Sequence, residues 1–502
     1  MKLVFKNSVV SFLSQIVTIC ILFITRKLSL QYFGVELLGI SSTLTSLIGA
    51  LSLADLGVQS AIVYRLYAPL KNNDKEKVNS IINIFGVVYK CVGSFILIAG
   101  IFIQPFLQYI LKGVVINFQV RIILILLILN TSFSYFLSYK QTLLYADQHD
   151  YITKYVQMIT NIVIGTLKII FVIVFKNYYL YLSLDIMQTL IINGLVHILC
   201  KKYYPYIQKK NINRVYFKEI VSDVKQVFAA KLASYVYTST DNIIISSFIS
   251  SATVGYLSNY TMIISQLKVV IYSLLAPIIP FIGRNLVEQN NNEEINFRYY
   301  TNVRYLLVYL IGIPTYLLID LFITICYGSQ YILTKNIVIL LLIDMYISFV
   351  YTPCYEYNNA AGLFKQEKKI MIIAALMNII ISIVCVNFIG MIGVLVGTVI
   401  SQLYLWIFRS KITYKYCFKA SKKSYIFYWF KNLYDIFAFL ISLLICNFLT
   451  SFIHISNNLL QFIITGIVYE CVLLVMFFLF HKWTREFRIY KKIIKEIFIK
   501  KI

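Results

Sequence analysis

The sequence predicts an all-α integral membrane protein of about fourteen transmembrane helices. These form two pseudo-symmetric six-helix bundles plus two C-terminal helices, with the N and C termini cytoplasmic. Three observations carry the prediction. Of the 502 residues, 60% are hydrophobic and only 13% charged, against about 25% charged in an ordinary soluble protein. The apolar residues collect in stretches of about twenty, the length that crosses a bilayer core. The basic residues alternate from one connection to the next, as the positive-inside rule requires. A soluble enzyme, a disordered chain and a nucleic-acid-binding domain are excluded. The net charge of +25 would suit nucleic acid in a soluble domain. A chain this apolar has no soluble surface on which to display it.

The first six spans are read at 8–29, 38–62, 80–107, 119–139, 155–175 and 179–200. The next six lie at 228–249, 255–281, 303–326, 333–355, 370–389 and 391–412, and the last two at 433–453 and 459–480. Span one follows Lys2 and Lys6 as a signal peptide would. It meets no small-residue cleavage site and is closed by Arg26 and Lys27, so it is kept as a span. The organisation that follows is an N-terminal six-helix bundle at 1–200, a cytoplasmic linker at 201–227 and a second bundle at 228–416. Two additional helices occupy 417–481. The tail 482–502 sets Tyr490, Ile493, Ile494, Ile497 and Phe498 on one helical face opposite lysines, the pattern of an interfacial helix on an anionic leaflet.

The charge count supports this topology. With the N-terminus inside, thirty-six of the 46 basic residues fall on cytoplasmic segments. The opposite side holds six: Arg26, Lys27, Lys112, Arg121, Lys176 and Lys335. Four lie inside spans: Lys90, Lys168, Lys231 and Lys268. One span more or fewer would scramble the alternation. The outward connections are short, and those near 250–254, 389–391 and 454–458 are bare turns.

The two six-span units share local features. Leu38-Gly39-Ile40 opens span two and Val254-Gly255-Tyr256 opens span eight; Asn161 lies in span five and Asn378 in span eleven. A six-span duplication gives two halves of the same orientation about an axis along the membrane normal. That is an architecture of alternating-access transporters, with the substrate site between the halves.

A charge at bilayer depth costs roughly 2.5–3.5 kcal/mol or more, so each one needs a reason. The candidates are Arg26, Asp55, Lys90, Lys168, Lys231, Asp241, Lys268, Asp344 and Glu470. Lys231 and Asp241 are ten residues apart on span seven, about 15 Å along a helix, and do not pair with each other. Lys231 lies close enough to a span end to snorkel into headgroups, whereas Lys90 and Lys168 lie deeper. Asp55 and Asp241 are too short to snorkel, which leaves inter-helix pairing or a proton role, and Asp344 is grouped with them. Lys90, Lys168, Lys231 and Lys268, with Arg26 at the outer end of span one, are read as a cationic, substrate-binding cavity. Such a cavity suits an anion, and a diphosphate carried on a lipid is the obvious anion for a membrane. Salt-bridge locking between the halves would use the same residues.

Pro277 and Pro280 in span eight mark a candidate hinge, since each removes a helical hydrogen bond; static kinks are the alternative. Nine cysteines scattered through apolar runs and four distant histidines offer no metal-ligand spacing, so no metal and no cofactor are expected.

The residues then resemble a known family. Tyr32-Phe33-Gly34-Val35-Glu36-Leu37-Leu38-Gly39 looks like the Y-x-G-x-x-x-x-G element that follows span one in polysaccharide flippases. Leu53-Ala54-Asp55-Leu56-Gly57 and Ala61-Ile62-Val63-Tyr64-Arg65 continue it. Thr240-Asp241-Asn242-Ile243-Ile244-Ile245-Ser246, then Val254-Gly255-Tyr256, resembles their span-seven signature. Ala361-Gly362-Leu363-Phe364-Lys365, Asn378 and Gly390-x-x-Gly393 resemble their spans ten to twelve. This is the Wzx-type O-antigen and capsule flippase family of the MATE-like MOP superfamily, and the resemblance covers almost the whole chain. It implies transfer of undecaprenyl-diphosphate-linked repeat units to the outer leaflet of the bacterial cytoplasmic membrane. Alternating access of two bundles, coupled to an ion gradient, would drive it. The implied partners are that lipid-linked oligosaccharide, membrane lipids and a polysaccharide polymerase, with no nucleic acid. Asp55, Arg65 and Asp241 fall on the family pattern.

Other readings are a peptidoglycan-precursor flippase or a MATE-type drug/cation antiporter of the same fold. Antiporters present acidic residues to cationic substrates, and the intramembrane lysines argue against one. A membrane polysaccharide polymerase or glycosyltransferase needs a sizeable outward loop with catalytic acids or arginines. No such loop is present, so a non-enzyme is expected.

Overall fold

The computed structural model describes residues 2–51, 58–147, 149–208, 235, 237, 239–275, 282, 286, 293–453 and 455–484. Among these, every long element is a helix. The helices are α1 (Lys2–Leu51), α2 (Val58–Lys71), α3 (Lys75–Phe102), α4 (Phe118–Ser138), α5 (Gln141–Ala146), α6 (Asp150–Phe175) and α7 (Tyr178–Tyr203). Residues 239–248 are also helical. They are followed by α8 (Ser251–Leu275), α9 (Glu293–Cys326), α10 (Lys335–Ala360), α11 (Phe364–Ile389), α12 (Met391–Ile412), α13 (Lys422–Thr450) and α14 (Asn458–His481). Among the described residues, eleven helices are long and apolar enough to cross a membrane.

The first two predicted spans are joined. Helix α1 has 50 residues, which at about 1.5 Å per residue is far longer than a bilayer core of about 30 Å. It breaks at Gly34, where φ is +79°. A residue with a Cβ is strained there, so the glycine of the predicted Y-x-G element makes the break. The second predicted span is shared between the end of α1 and the start of α2. Asp55 lies outside the described residues, as do Lys231, Pro277, Pro280, most of the 201–227 linker and the tail beyond residue 484.

The short connections end on side-chain caps. Asp74 accepts a hydrogen bond from the Lys77 amide at the start of α3, and Asn117 does so from Val120 at the start of α4. Asn177 and Asn457 each accept from two amides, opening α7 and α14. Each cap satisfies helix N–H groups that have no intrahelical partner. It lets a helix restart within a few residues of the previous one.

The surface is apolar where a soluble protein would be polar. Ile380, Phe388, Leu444, Phe448 and Ile467 are all more than half exposed. Apolar surface of this extent requires hydrocarbon around it, and the chain is a multi-pass membrane protein.

Two compact units are present: Met1–Met262 with Ser382–Val394, and Ile263–Ile381 with Leu395–Ile502. In the first unit, α1 packs along α6, α3 against α4, and α7 against α4 and α6. A buried apolar cluster in it gathers Leu66, Ile84, Phe85, Leu143 and Leu144 from α2, α3 and α5. In the second unit, α9 is the hub and packs on α10, α13 and α14.

Candidate functional site

In the first unit, α1 and α8 meet backbone to backbone. A Cβ on Gly39 would lie 1.8 Å from the Ser251 carbonyl oxygen, and one on Gly255 would lie 2.1 Å from that of Val35. Only two glycines facing each other permit this approach. These are the two glycines that open the predicted spans two and eight. Beside the contact, Arg26 Nε donates to Asn259 Oδ1 at 2.8 Å, and Nη2 donates to Ser258 Oγ at 2.5 Å. Arg26 therefore ties α1 to α8 in this conformation. Further along α1, Tyr235 donates to the Ser46 carbonyl at 2.8 Å and Asn242 to Ser46 Oγ at 3.0 Å.

Lys168 on α6 is buried and ion-paired with Asp185 on α7. Its ammonium also lies 4.7 Å from the centre of the Tyr181 ring. Asn161, about two helical turns earlier on α6, donates to Thr18 Oγ1 at 2.8 Å and accepts from Gln188 at 2.6 Å. Polar side chains thus link α1, α6 and α7 inside an apolar bundle. Each link satisfies a group that would be costly to leave bare in hydrocarbon. Lys90 stands apart. It lies on α3 with an exposed side chain, and no ion pair is formed by it among the described residues. Asp241 is half-buried on the helical segment 239–248.

In the second unit, Lys268 on α8 pairs with Asp344 on α10 at 2.9 Å. The other carboxylate oxygen of Asp344 accepts from Gln402 on α12. Both charged side chains keep about a fifth of their surface open, 23% and 21%. Asn378 on α11 bonds Thr398 on α12 at 3.0 Å. Asn161 and Asn378 thus each bond the helix that follows their own.

The predicted lysines are consequently held in different ways. Lys168 and Lys268 are neutralised by carboxylates on neighbouring helices, while Lys90 has no carboxylate partner among the described residues. Pairing keeps an ammonium at depth for less than an isolated charge costs.

Sequence reasoning misses several charges. Asp185 lies within a predicted span, but nothing in spacing alone links it to Lys168, because the pair joins two helices. Arg304 and Arg409 count among the cytoplasmic charges in the sequence, yet both are buried inside the second unit. Arg304 pairs with Glu356 at 2.6 Å, and Arg409 with Glu367 at 2.9 Å. Tyr300 donates to Glu356 at 2.6 Å, and Asn358 to Glu367 at 2.8 Å. An arginine and an acid some forty to fifty residues away give no sequence signal that the two meet.

A helical fold with ion pairs and polar links between its long apolar helices is that of a multi-pass membrane protein. The comparisons agree on the fold. The chain resembles the lipid II flippase MurJ in its inward closed conformation, with a TM-score of 0.69 and 17% identity over 94% of this chain and 98% of that one. A MOP superfamily transporter from Pyrococcus furiosus, described by a binding pocket of reverse polarity, gives 0.56 and 14% over 82% and 96%. The Vibrio cholerae MATE transporter VcmN in its bent form gives 0.51 and 14% over 82% and 96%. No curated protein matches significantly in sequence. The family of polysaccharide biosynthesis proteins matches residues 4–286, and the chain belongs to that family.

Proposed function

We propose that the protein moves undecaprenyl-diphosphate-linked oligosaccharide repeat units of an O-antigen or capsule from the inner to the outer leaflet of the bacterial cytoplasmic membrane. The observation that carries this reading is membership of the polysaccharide biosynthesis family in a chain with lysines on its spanning helices. Both termini are cytoplasmic in this reading. The bundles 1–200 and 228–416 alternate access, joined by 201–227, with 417–481 as added spans and 482–502 as an inner-leaflet anchor. Lys90, Lys168, Lys231, Lys268 and Arg26 receive the diphosphate. The charges of Lys168 and Lys268 are poised by pairing. As the anion arrives, Lys168 and Lys268 exchange Asp185 and Asp344 for phosphate oxygens through charge-assisted hydrogen bonds. A released carboxylate then takes up a proton or cation, which links substrate to an ion gradient. Asp344, with Asp55 and Asp241, serves that coupling or inter-helix pairing, and Pro277 and Pro280 let span eight bend. No catalytic residue is assigned, and a polysaccharide polymerase is the natural consumer of the product.

The test replaces Lys90, Lys168 and Lys231 together by alanine. Surface polysaccharide is expected to fall while protein abundance in the membrane holds. Normal polysaccharide on the triple mutant would sink the reading. A second reading, flipping of a peptidoglycan precursor, is favoured by the likeness to the lipid II flippase. Proteoliposomes loaded with each lipid-linked glycan separate the two, because the shared diphosphate leaves the glycan as the distinguishing part.

A further inference from the structure

A second buried charge cluster lies away from these lysines, where α9, α13 and α14 pack in the second unit. Asp435 on α13 is buried, and one carboxylate oxygen meets both Lys431 and His481 Nε2, the latter at 3.2 Å. His481 is completely enclosed. Its other ring nitrogen, Nδ1, lies 3.1 Å from the Phe477 carbonyl oxygen. Both nitrogens therefore face acceptors. A neutral imidazole has one N–H to donate. Both contacts become hydrogen bonds only if the pair carries one further proton, either on the ring as imidazolium or on Asp435 as the acid that donates to Nε2.

A cavity adjoins the pair. It measures about 30 Å³ and is lined by Thr301, Asn302, Lys431, Asn432 and Asp435, among others. Asn302 is 4% exposed, and neither its amide nitrogen nor its oxygen has a hydrogen-bond partner among the described residues. Leaving a buried amide bare costs several hydrogen bonds' worth of solvation, so such groups are met by water. The volume holds one water molecule, and Asn302 and Asp435 supply donor and acceptor to it.

We propose that Asp435 and His481, with a water held by Asn302, form a buried proton-binding site. The other ionisable groups facing it are Lys431 and Tyr434 from α13, Tyr305 from α9 and Tyr346 from α10. The Tyr305 ring lies 5.3 Å and the Tyr434 ring 6.0 Å from the imidazole. Arg298, on the cavity wall, is engaged by Glu294 at 2.5 Å. Lys431 contacts the Asp435 carboxyl in either arrangement, and the further proton is the exchangeable charge. The site ties α9 to the two C-terminal helices and lies outside the proposed translocation residues.

The test needs no substrate, so its failure is distinct from failure of the flippase reading. The full chain, ring-¹⁵N-labelled at its four histidines, is studied in nanodiscs by NMR and infrared spectroscopy. His481→Gln assigns the signal. At neutral pH the wild type is expected to show either two protonated ring nitrogens at His481 or a buried carboxylic-acid band that Asp435→Asn removes. In the first case Asp435→Asn returns His481 to the neutral ring. Asn302→Leu, close in volume, is expected to slow hydrogen–deuterium exchange at the pair. A neutral ring together with no acid band overturns the site, and unchanged exchange in Asn302→Leu overturns the role of the water. If His481→Gln does not fold, Asp435→Asn still reads both signals.

Discussion

Replacing Glu356 by glutamine is expected to destabilise the second unit severely. Arg304 is 1% exposed and its guanidinium bonds Glu356 at 2.6 Å and Tyr300 Oη at 2.7 Å. Its Nε and Nη1 have no hydrogen-bond partner among the described residues, and the rings of Tyr272 and Tyr300 lie 5.6 and 5.0 Å from its centre. Glu356 is thus the charge that balances it. Glutamine keeps the shape and removes the charge. Stripping one partner from a buried pair costs about 3–5 kcal/mol, because the remaining charge is left uncompensated. The double replacement Arg304→Met with Glu356→Leu removes both charges and should recover most of that loss, or exceed wild type by as much as about 1–4 kcal/mol. The assay is thermal denaturation in detergent, followed by thiol labelling of Cys354, which is fully buried two residues from Glu356. Cys354 should label at lower temperature in Glu356→Gln and at wild-type temperature in the double variant. A loss below about 1 kcal/mol in Glu356→Gln, the size of an ordinary hydrogen bond, would refute the reasoning. So would a double variant as weak as the single one.

Other outcomes follow from the same geometry. Gly255→Ala places a methyl group 2.1 Å from a backbone oxygen and should cost about 1–3 kcal/mol as overpacking; wild-type melting and export would show that α1 and α8 do not need this approach. Gly34→Ala should cost on the order of 1 kcal/mol through its positive φ alone, with export less affected than stability. Asp185→Asn leaves Lys168 unpaired and should impair folding more than Lys168→Met, which removes the buried charge; the order of the two melting temperatures checks it. Asn161→Leu removes two inter-helix links and Asn378→Leu the one to Thr398, each such link being worth about 0.6 kcal/mol in membranes, and the two effects should add because they lie in different units.

The spans were legible because hydrocarbon imposes a length and a composition on each one separately. Apolar runs such as 370–389 and 459–480 reappear as α11 and α14. Gly34 and Gly39 were legible as a motif, and the structure gives each its own reason: one takes a positive φ, the other admits a neighbouring backbone. The lysines were legible as charges out of place. Their partners were not. Lys168 with Asp185 and Lys268 with Asp344 join different helices, and helical periodicity describes one helix at a time.

Arg304 and Arg409 show the limit most directly. In the sequence they stand at span ends among other basic residues and read as topology signals. In the fold they are enclosed with Glu356 and Glu367. The amino-acid sequence by itself determined the class of protein, the placement of most of its membrane helices and the glycine motif at which α1 breaks and meets its neighbour, because each of those is a local demand of the bilayer on the chain. Only the tertiary structure decided which charges are paired, and with what, because that depends on neighbours brought together across helices in a medium that offers few waters in their place.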